Sequence, residues 1–308
     1  MNGPEWQIVV LNWNGREDTL ACLESLSRID RPDVAVICVD NGSGDGSVPA
    51  VRERFPQVTV MEAGDNLGYA GGNNLGLEHA MSHGARWMVL VNNDATVAPD
   101  VIDGFAAVAA AHPRSGILAG KVYEADRPQT VAFAGQRVNT RLGYSGRPRG
   151  HGRPDGPRYA SVQPTDRAVG ALMAISREAI NAVGLLDEGL FAYVEDIDWA
   201  LRVRSAGFAI LLAPQARAWH QASSSTGGAR STQTLYYGVR NTIAVLERRR
   251  PLGRAAARLR RLVILATFAL HAARRPDRGA ALAAVREGWA DARRGRTGIR
   301  PQRAASAS

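Results

Sequence analysis

Residues 89–97 read VLVNNDATV. An apolar run is cut off there by two amides and a carboxylate: Asn92, Asn93 and Asp94. A short unbroken apolar run fits a strand buried on both faces of a parallel sheet. Open α/β sheets bind ligands beyond the carboxyl ends of their strands, so these three side chains mark the mouth of a site, with Asp94 placed to reach a metal ion. The plainer alternative is an Asx turn in which Asp94 caps the helix beginning near Pro99.

Working outward, further apolar strands are expected at 7–11 (QIVVL), 34–39 (VAVICV), 58–61 (VTVM), 86–91 (RWMVLV) and 116–122. Helical spacing lies between them, with short connections. This βαβα rhythm predicts a mostly parallel central sheet flanked by helices on both faces. After residue 122 the rhythm breaks. A hairpin is expected at 129–139, then a loop rich in Gly, Pro and Arg at 140–160. A strand at 167–175, a helix from Glu195 to Ala206, a short strand AILLAP and a helix from about Ser231 to Glu247 follow. The stretches 140–160 and 221–230 are candidate lids.

The 308 residues suit one large domain with an appendage. Residues 1–247 are taken as the main domain, with halves near 1–122 and 123–247, and 248–308 as a basic helical tail whose last residues, 295–308, are expected to be disordered. The formal charge of +9 is uneven: 248–308 carry 16 Arg against three acids, whereas 1–247 carry 22 Arg plus Lys against 26 acids. A basic tail suits nucleic acid or an anionic membrane. The apolar run 262–273, LVILATFALHAA, favours the membrane, and no nucleic-acid partner is expected. Its twelve residues fall short of the roughly 20 needed to span a bilayer but suffice for an interfacial helix. The alternative is packing against the domain or a second subunit, a homodimer through the C-terminal helices. Cys22 and Cys38 read as small buried hydrophobes. The N-terminus lacks the pattern of a signal peptide, and a cytoplasmic protein, peripheral on the inner face of the cell membrane, is expected.

Four constellations carry chemistry. DNGSGDG at 40–46 follows a strand, and Asp40 at the strand end suits a ribose hydroxyl or a base N–H; a simple turn explains the glycines equally well. Asn66 to Asn74, NLGYAGGNN, opens a helix where backbone N–H groups approach a polar or anionic ligand; Asn73 and Asn74 alternatively cap backbone groups. Glu195, Asp196 and Asp198 crowd a helix start, where the helix dipole offsets part of their repulsion and a general base can be tuned; an acidic surface helix start is the plain reading. His220 is either a structural histidine or a second ligand beside Asp94, and an imidazole ligand suits Mn2+ better than Mg2+.

Together, VVLNWNG, VICVDNGSGDGS, DNLGYAGGNN, VLVNNDATV, GALMAISREAI, LFAYVEDIDWALRVRSAGF, AWHQ and YYGVRNTI closely resemble the family 2 glycosyltransferases, in particular the rhamnosyltransferase-like branch. The resemblance runs from about Gln7 to Glu247. It implies a GT-A type nucleotide-diphospho-sugar transferase fold. It implies that Leu11, Asn12, Trp13, Asn14, Asp40 and Asn41 line the base and ribose pocket, completed by Asn66, Gly68 and Asn73. Asn93 and Asp94 stand at the DxD-type motif, whose first acid is here Asn92. Asp94, helped by His220, would hold Mg2+ or Mn2+ on the diphosphate. Asp196 would be the catalytic base, assisted by Glu195 and Asp198, and Arg230 would meet the leaving group. The implied reaction is inverting transfer of a sugar from a dTDP- or UDP-sugar to a carbohydrate or lipid-linked acceptor, with L-rhamnose from dTDP-rhamnose the branch-level donor. A sugar nucleotidyltransferase would carry a glycine-rich loop with Arg and Lys after the first strand, where NWNGRED has one Arg. A non-catalytic sugar-nucleotide-binding protein is disfavoured by the intact Asp94 and Asp196.

Overall fold

A computed structural model of the chain describes residues 4–221 and 231–301. In chain order its elements are β1 (Trp6–Asn12), α1 (Arg16–Leu26), β2 (Val34–Asp40), α2 (Ser47–Arg54), β3 (Thr59–Glu62), α3 (Gly68–Ser82), β4 (Trp87–Asn92), β5 (Ala95–Val97), α4 (Val101–Ala111), β6 (Ser115–Glu124), β7 (Arg127–Phe133), β8 (Val138–Asn139), β9 (Tyr144–Ser145), β10 (Arg153–Pro154), β11 (Gln163–Pro164), β12 (Leu172–Ser176), α5 (Arg177–Val183), α6 (Glu195–Ser205), β13 (Ala209–His220), α7 (Thr232–Arg249), α8 (Arg254–Ala273) and α9 (Arg278–Arg293).

The main sheet runs β10-β7-β6-β12-β4-β1-β2-β3. From β4 to β3 every pairing is parallel. Beyond β4 the sheet turns antiparallel, because β12 inserts between β4 and β6 with Leu172 opposite Val91 and Ala174 opposite both Val89 and Leu118. The expected mostly parallel sheet is therefore corrected to a mixed one. Ile8, Val9, Leu90, Leu172 and Ala174 are all fully buried. A strand covered on both faces is apolar throughout whichever way it runs, so its composition carries no direction. The expected hairpin at 129–139 is also displaced: β7 folds back on β6, and the 140–160 stretch extends the sheet edge through β10. Lys121 and Tyr123 hold Asp155 there at 2.9 and 2.7 Å, which ties down the outer part of one candidate lid.

The last strand is longer than AILLAP. It breaks register between Ala213 and Arg217 and then continues beside β6 and β5 to His220. Pro214 cannot donate to a ladder, so the strand bulges around it instead of ending. α7, α8 and α9 share a second apolar cluster with Leu190 and Leu201, built on Tyr236, Tyr237, Val239, Ile243, Ile264 and Val285. Residues 295–301, expected to be disordered, are instead tied in place. The Gly298 N–H donates to Gly189 O at 2.7 Å, and Arg300 pairs with Glu287. Among the described residues no helix is long and apolar enough to cross a membrane.

Candidate active site

The carboxyl ends of β1, β2 and β4 meet in one hydrogen-bonded knot. Asn12 donates to Asp40 Oδ1 at 2.8 Å and to Ser43 Oγ at 3.1 Å. Its own carbonyl accepts from the Thr19 hydroxyl at 2.8 Å. Asp40 Oδ2 accepts the Ser43 N–H at 2.9 Å, and Asn14 Oδ1 accepts the Gly44 N–H at 2.9 Å. Asn93 donates to Thr19 Oγ1 at 3.1 Å. Asn12, Asp40 and Asn93 are buried, whereas Trp13 is 41% exposed at the rim. These contacts fix the relative position of the loops after β1 and β2. Asn41 does the same for the loop before α3: its amide donates to Asn66 Oδ1 and Gly68 O, and its oxygen accepts the Leu67 N–H at 3.0 Å.

The glycines of α3 serve packing. A Cβ on Gly72 would lie 2.4 Å from a Leu11 methyl, and one on Gly76 equally close to Val9. They let the helix lie against β1. Asn73 donates to Tyr69 O, and Asn74 to Leu186 O and Glu188, so these amides tie backbone in the way of the capping alternative. Gly68 is different: its φ is +75°, and a Cβ there would meet Phe191 O at 2.4 Å. It is the contact point between α3 and the loop before α6.

Asp94 sits in the tight turn between β4 and β5. Because β5 pairs with the end of β13, His220 is delivered to it, and the Gln221 N–H donates to Asp94 O at 3.0 Å. His220 Nε2 stands 2.9 Å from Asp94 Oδ1. Asp94 Oδ1 is buried, yet it receives no well-directed hydrogen bond among the described residues. The two side chains are close enough together to hold one cation between them. No group of three or more His, Cys, Asp or Glu side chains placed to hold a metal ion exists among the described residues. A cation here would therefore take its other ligands from diphosphate and water, the usual habit of Mg2+.

The acid cluster opens α6. Asp196 forms an ion pair with Arg167 through Oδ2, while its Oδ1 and Glu195 Oε2 are buried with no hydrogen-bond partner among the described residues. Burial, then the neighbouring Asp196 charge, pushes the Glu195 carboxyl up to about 8. Burial also raises Asp196, opposed by the Arg167 guanidinium. Glu195 therefore holds its proton near neutral pH, while the guanidinium on Asp196 Oδ2 opposes the protonation that burial favours there. Asp198 differs from both. It has no exposed side-chain surface and carries Arg202 on one oxygen at 2.7 Å and Arg249 on the other at 2.8 Å. It braces α6 against α7 from behind. Arg230 lies outside the described residues.

Tyr69 links the two carboxylate groups. Burial, followed by the charges of Glu195, Asp196 and Asp94, pushes its phenol well above the usual range. Its hydroxyl lies over Gly170, where an added Cβ would fall 2.0 Å away and 3.4 Å from Asn92 Oδ1. One tyrosine thus lies within electrostatic reach of both the β4 end and the α6 start.

The approach to α6 is strained. Phe191, Tyr193 and Val194 have φ of 63°, 64° and 74°, a region that is costly for side chains bearing a Cβ. The YYGVRNTI segment on α7 holds this turn. The Asn241 amide donates to Leu190 O, Ala192 O and Tyr193 O at 2.9, 2.8 and 2.8 Å. Arg240 donates to Leu190 O at 2.9 Å, to Gly298 O at 2.6 Å and to Asn241 Oδ1 at 2.8 Å. The sequence quoted this segment but gave it no role. Arg167 and Tyr69 were also missed; their signal was only proximity to a strand start and a glycine-rich helix start.

The chain thus presents a mixed α/β sheet flanked by helices, with polar loops at its strand ends and carboxylate groups at the β4 end and the α6 start. Residues 4–235 match the family described as glycosyltransferase like family 2. A relative from Mycobacterium tuberculosis, N-acetylglucosaminyl-diphospho-decaprenol L-rhamnosyltransferase, is 31% identical over 222 residues, covering 67% of this chain and 72% of its own length. The fold resembles the Pyrobaculum calidifontis mannosyltransferase PcManGT in complex with GDP-Man and Mn2+, with a TM-score of 0.59 at 19% identity over 95% of this chain and 76% of that one. It also resembles GalNAc-T7 with UDP, GalNAc and Mn2+, with a TM-score of 0.60 at 15% identity over 80% and 48%. The chain belongs to the family 2 glycosyltransferases and is related to rhamnosyltransferases. It is a transferase that uses a nucleotide sugar.

Proposed function

We propose that this GT-A type enzyme transfers a deoxyhexose, L-rhamnose from dTDP-rhamnose, with inversion to a hydroxyl of a lipid-linked glycan. The observation that carries the reading is Tyr69, whose phenol feels the charge of Asp94 at the β4 end and of Glu195 and Asp196 at the α6 start. Residues 1–122 hold the donor, 123–247 the acceptor. The knot of Asn12, Asp40 and Asn41 receives the pyrimidine nucleoside, with Leu11, Trp13 and Asn14 at its rim and Asn66, Gly68 and Asn73 behind it. Asp94 and His220 are suited to hold Mg2+ or Mn2+, which when bound offsets the charge of the leaving diphosphate.

Asp196 Oδ1 accepts the proton of the attacking hydroxyl. Arg167 on its other oxygen favours its ionised form against the effect of burial, and the neutral Glu195 beside it spares the site a second charge. Donor choice follows the M. tuberculosis rhamnosyltransferase, as does the polyprenyl-diphosphate sugar acceptor. The work site is the cytoplasmic face of a membrane.

The test is release of nucleoside diphosphate from dTDP-rhamnose, UDP-sugars and GDP-mannose, with and without a polyprenyl-diphosphate N-acetylglucosamine acceptor. NMR of the product anomer reads the stereochemistry. Acceptor-dependent release from dTDP-rhamnose with inversion is expected. Exclusive use of a purine nucleotide sugar, or retention, overturns the reading.

A further inference from the structure

The helix α8 has two faces. Arg260, Ile264 and Ala272 are buried against the rest of the protein. On the opposite side Ala255, Leu259, Leu262, Ala266, Leu270 and Ala273 recur at helical spacing and are all exposed. Leu259, Leu262 and Leu270 are 58%, 60% and 57% exposed, among the most exposed large apolar side chains described. The stripe spans about 27 Å of helix at about 1.5 Å per residue. A continuous apolar strip of this size on a surface marks an interaction site.

Charge identifies what covers it. Exposed Arg254 and Arg258 flank one end, and exposed Arg274 and Arg278 the other. None of the four has an ion pair among the described residues, and no acid occurs between Glu247 and Asp277. Those two acids are already used, by Arg261 and Arg275. A second copy pairing through this face would bring arginines onto arginines whether the helices ran parallel or antiparallel, which is repulsive. The segments 222–230 and 302–308, ASSSTGGAR and QRAASAS, contain no large apolar side chain to lay on the strip. A surface that is apolar in the middle and anionic at the edges fits both features, and an anionic lipid bilayer is such a surface.

We infer that α8 lies in the interfacial plane of an anionic bilayer, with Leu259, Leu262 and Leu270 among the acyl chains and Arg254, Arg258, Arg274 and Arg278 on lipid phosphates. The docking rests on this face alone; the lipid-linked acceptor proposed above only gives it a purpose. The mode also differs from the expected run 262–273, half of which faces inward. Binding is peripheral and salt-sensitive, since the arginines are exposed.

The test is co-sedimentation of the full chain with phosphatidylcholine vesicles, with and without phosphatidylglycerol and carrying no acceptor. Partition onto anionic vesicles, weakened by salt, is expected. Leu259→Ser with Leu262→Ser lowers it by about tenfold per leucine. Arg254→Gln with Arg258→Gln lowers it by about fivefold per arginine and flattens the salt dependence. Circular dichroism, unchanged in all four substitutions, excludes misfolding. Absence of binding to anionic vesicles overturns the inference. So does a leucine variant that binds like the wild type, or equal salt-independent binding to neutral vesicles. A dimer in analytical ultracentrifugation that the leucine substitutions dissociate assigns the face to a second copy and overturns it too. Because the vesicles contain no acceptor, failure here leaves the transfer reaction separately testable.

Discussion

Replacing Asn241 by alanine tests whether the acid cluster is aimed by α7. The turn it holds contains three non-glycine residues at positive φ, Phe191, Tyr193 and Val194. At about 1–2 kcal/mol each, they store about 3–6 kcal/mol of strain. The Asn241 amide has two N–H groups shared among three carbonyls, contributing about 1 kcal/mol per bond, with further cost for each carbonyl left buried and unpaired. Removing it withdraws about 2–4 kcal/mol, comparable with the stored strain. The turn then relaxes, and Glu195 and Asp196, the next two residues, move with it. The expected result of Asn241→Ala is a fall in kcat of at least about tenfold, since about 1.4 kcal/mol is a factor of ten. Donor affinity stays within about twofold, because the loops after β1 and β2 are untouched. Asn241→Asp is worse than alanine, since a carboxylate would face three carbonyl oxygens. Steady-state transfer with donor varied at saturating acceptor separates the two parameters, and calorimetry checks donor affinity. Wild-type kcat in the alanine variant, or donor affinity lost in step with kcat, refutes the reasoning.

Asp94→Asn is expected to abolish the Mn2+-dependent gain in donor affinity, read by calorimetry with and without the metal; an unchanged gain removes Asp94 from the cation site. Asp196→Asn keeps the shape without the basicity, so transfer falls about 10²–10⁴-fold while donor binding persists; a variant above about a tenth of wild-type rate ends the role. Glu195 is raised from its ordinary value to about 8 by burial, so between those values the folded state binds a proton the unfolded chain lacks. Stability therefore falls as pH rises from about 4.5 to about 8, and Glu195→Gln flattens that part of the melting-temperature profile. A variant melting with the wild-type pH slope contradicts the assignment.

The chemistry was legible where it sits at element boundaries. Asp94 follows an apolar run, Asp40 ends another, and Glu195 and Asp196 open a helix, so strand ends and helix starts announced them. What lay across the fold was not legible. Nothing local pairs Arg167 with Asp196, 29 residues away, or seats Asn241 under a turn 48 residues earlier. The glycines of 66–74 suggested a ligand, but Gly72 answers to Leu11 in a neighbouring strand, as Gly76 one turn on does to Val9. The strand expected to end with AILLAP resumes beyond Pro214, which only the pairing with β6 and β5 shows. The direction of β12 was hidden because burial on both faces erases the alternation that would reveal it.

The bond from Gly298 to the carbonyl of Gly189, joined by Arg240 reaching both stretches, has a consequence for the order in which this protein matures. Chains emerge from synthesis amino end first and fold in that order. The donor-side knot closes on residues 12–93. Beyond the Ala70 N–H on Phe191 O, the turn before α6 gains the Asn241 and Arg240 bonds only when α7 exists, and the stretch just ahead of it gains the Gly298 bond only after α9 has been made. On the proposed roles, the loops assigned to the nucleotide are synthesised well before the last bonds that hold the turn in front of the proposed base.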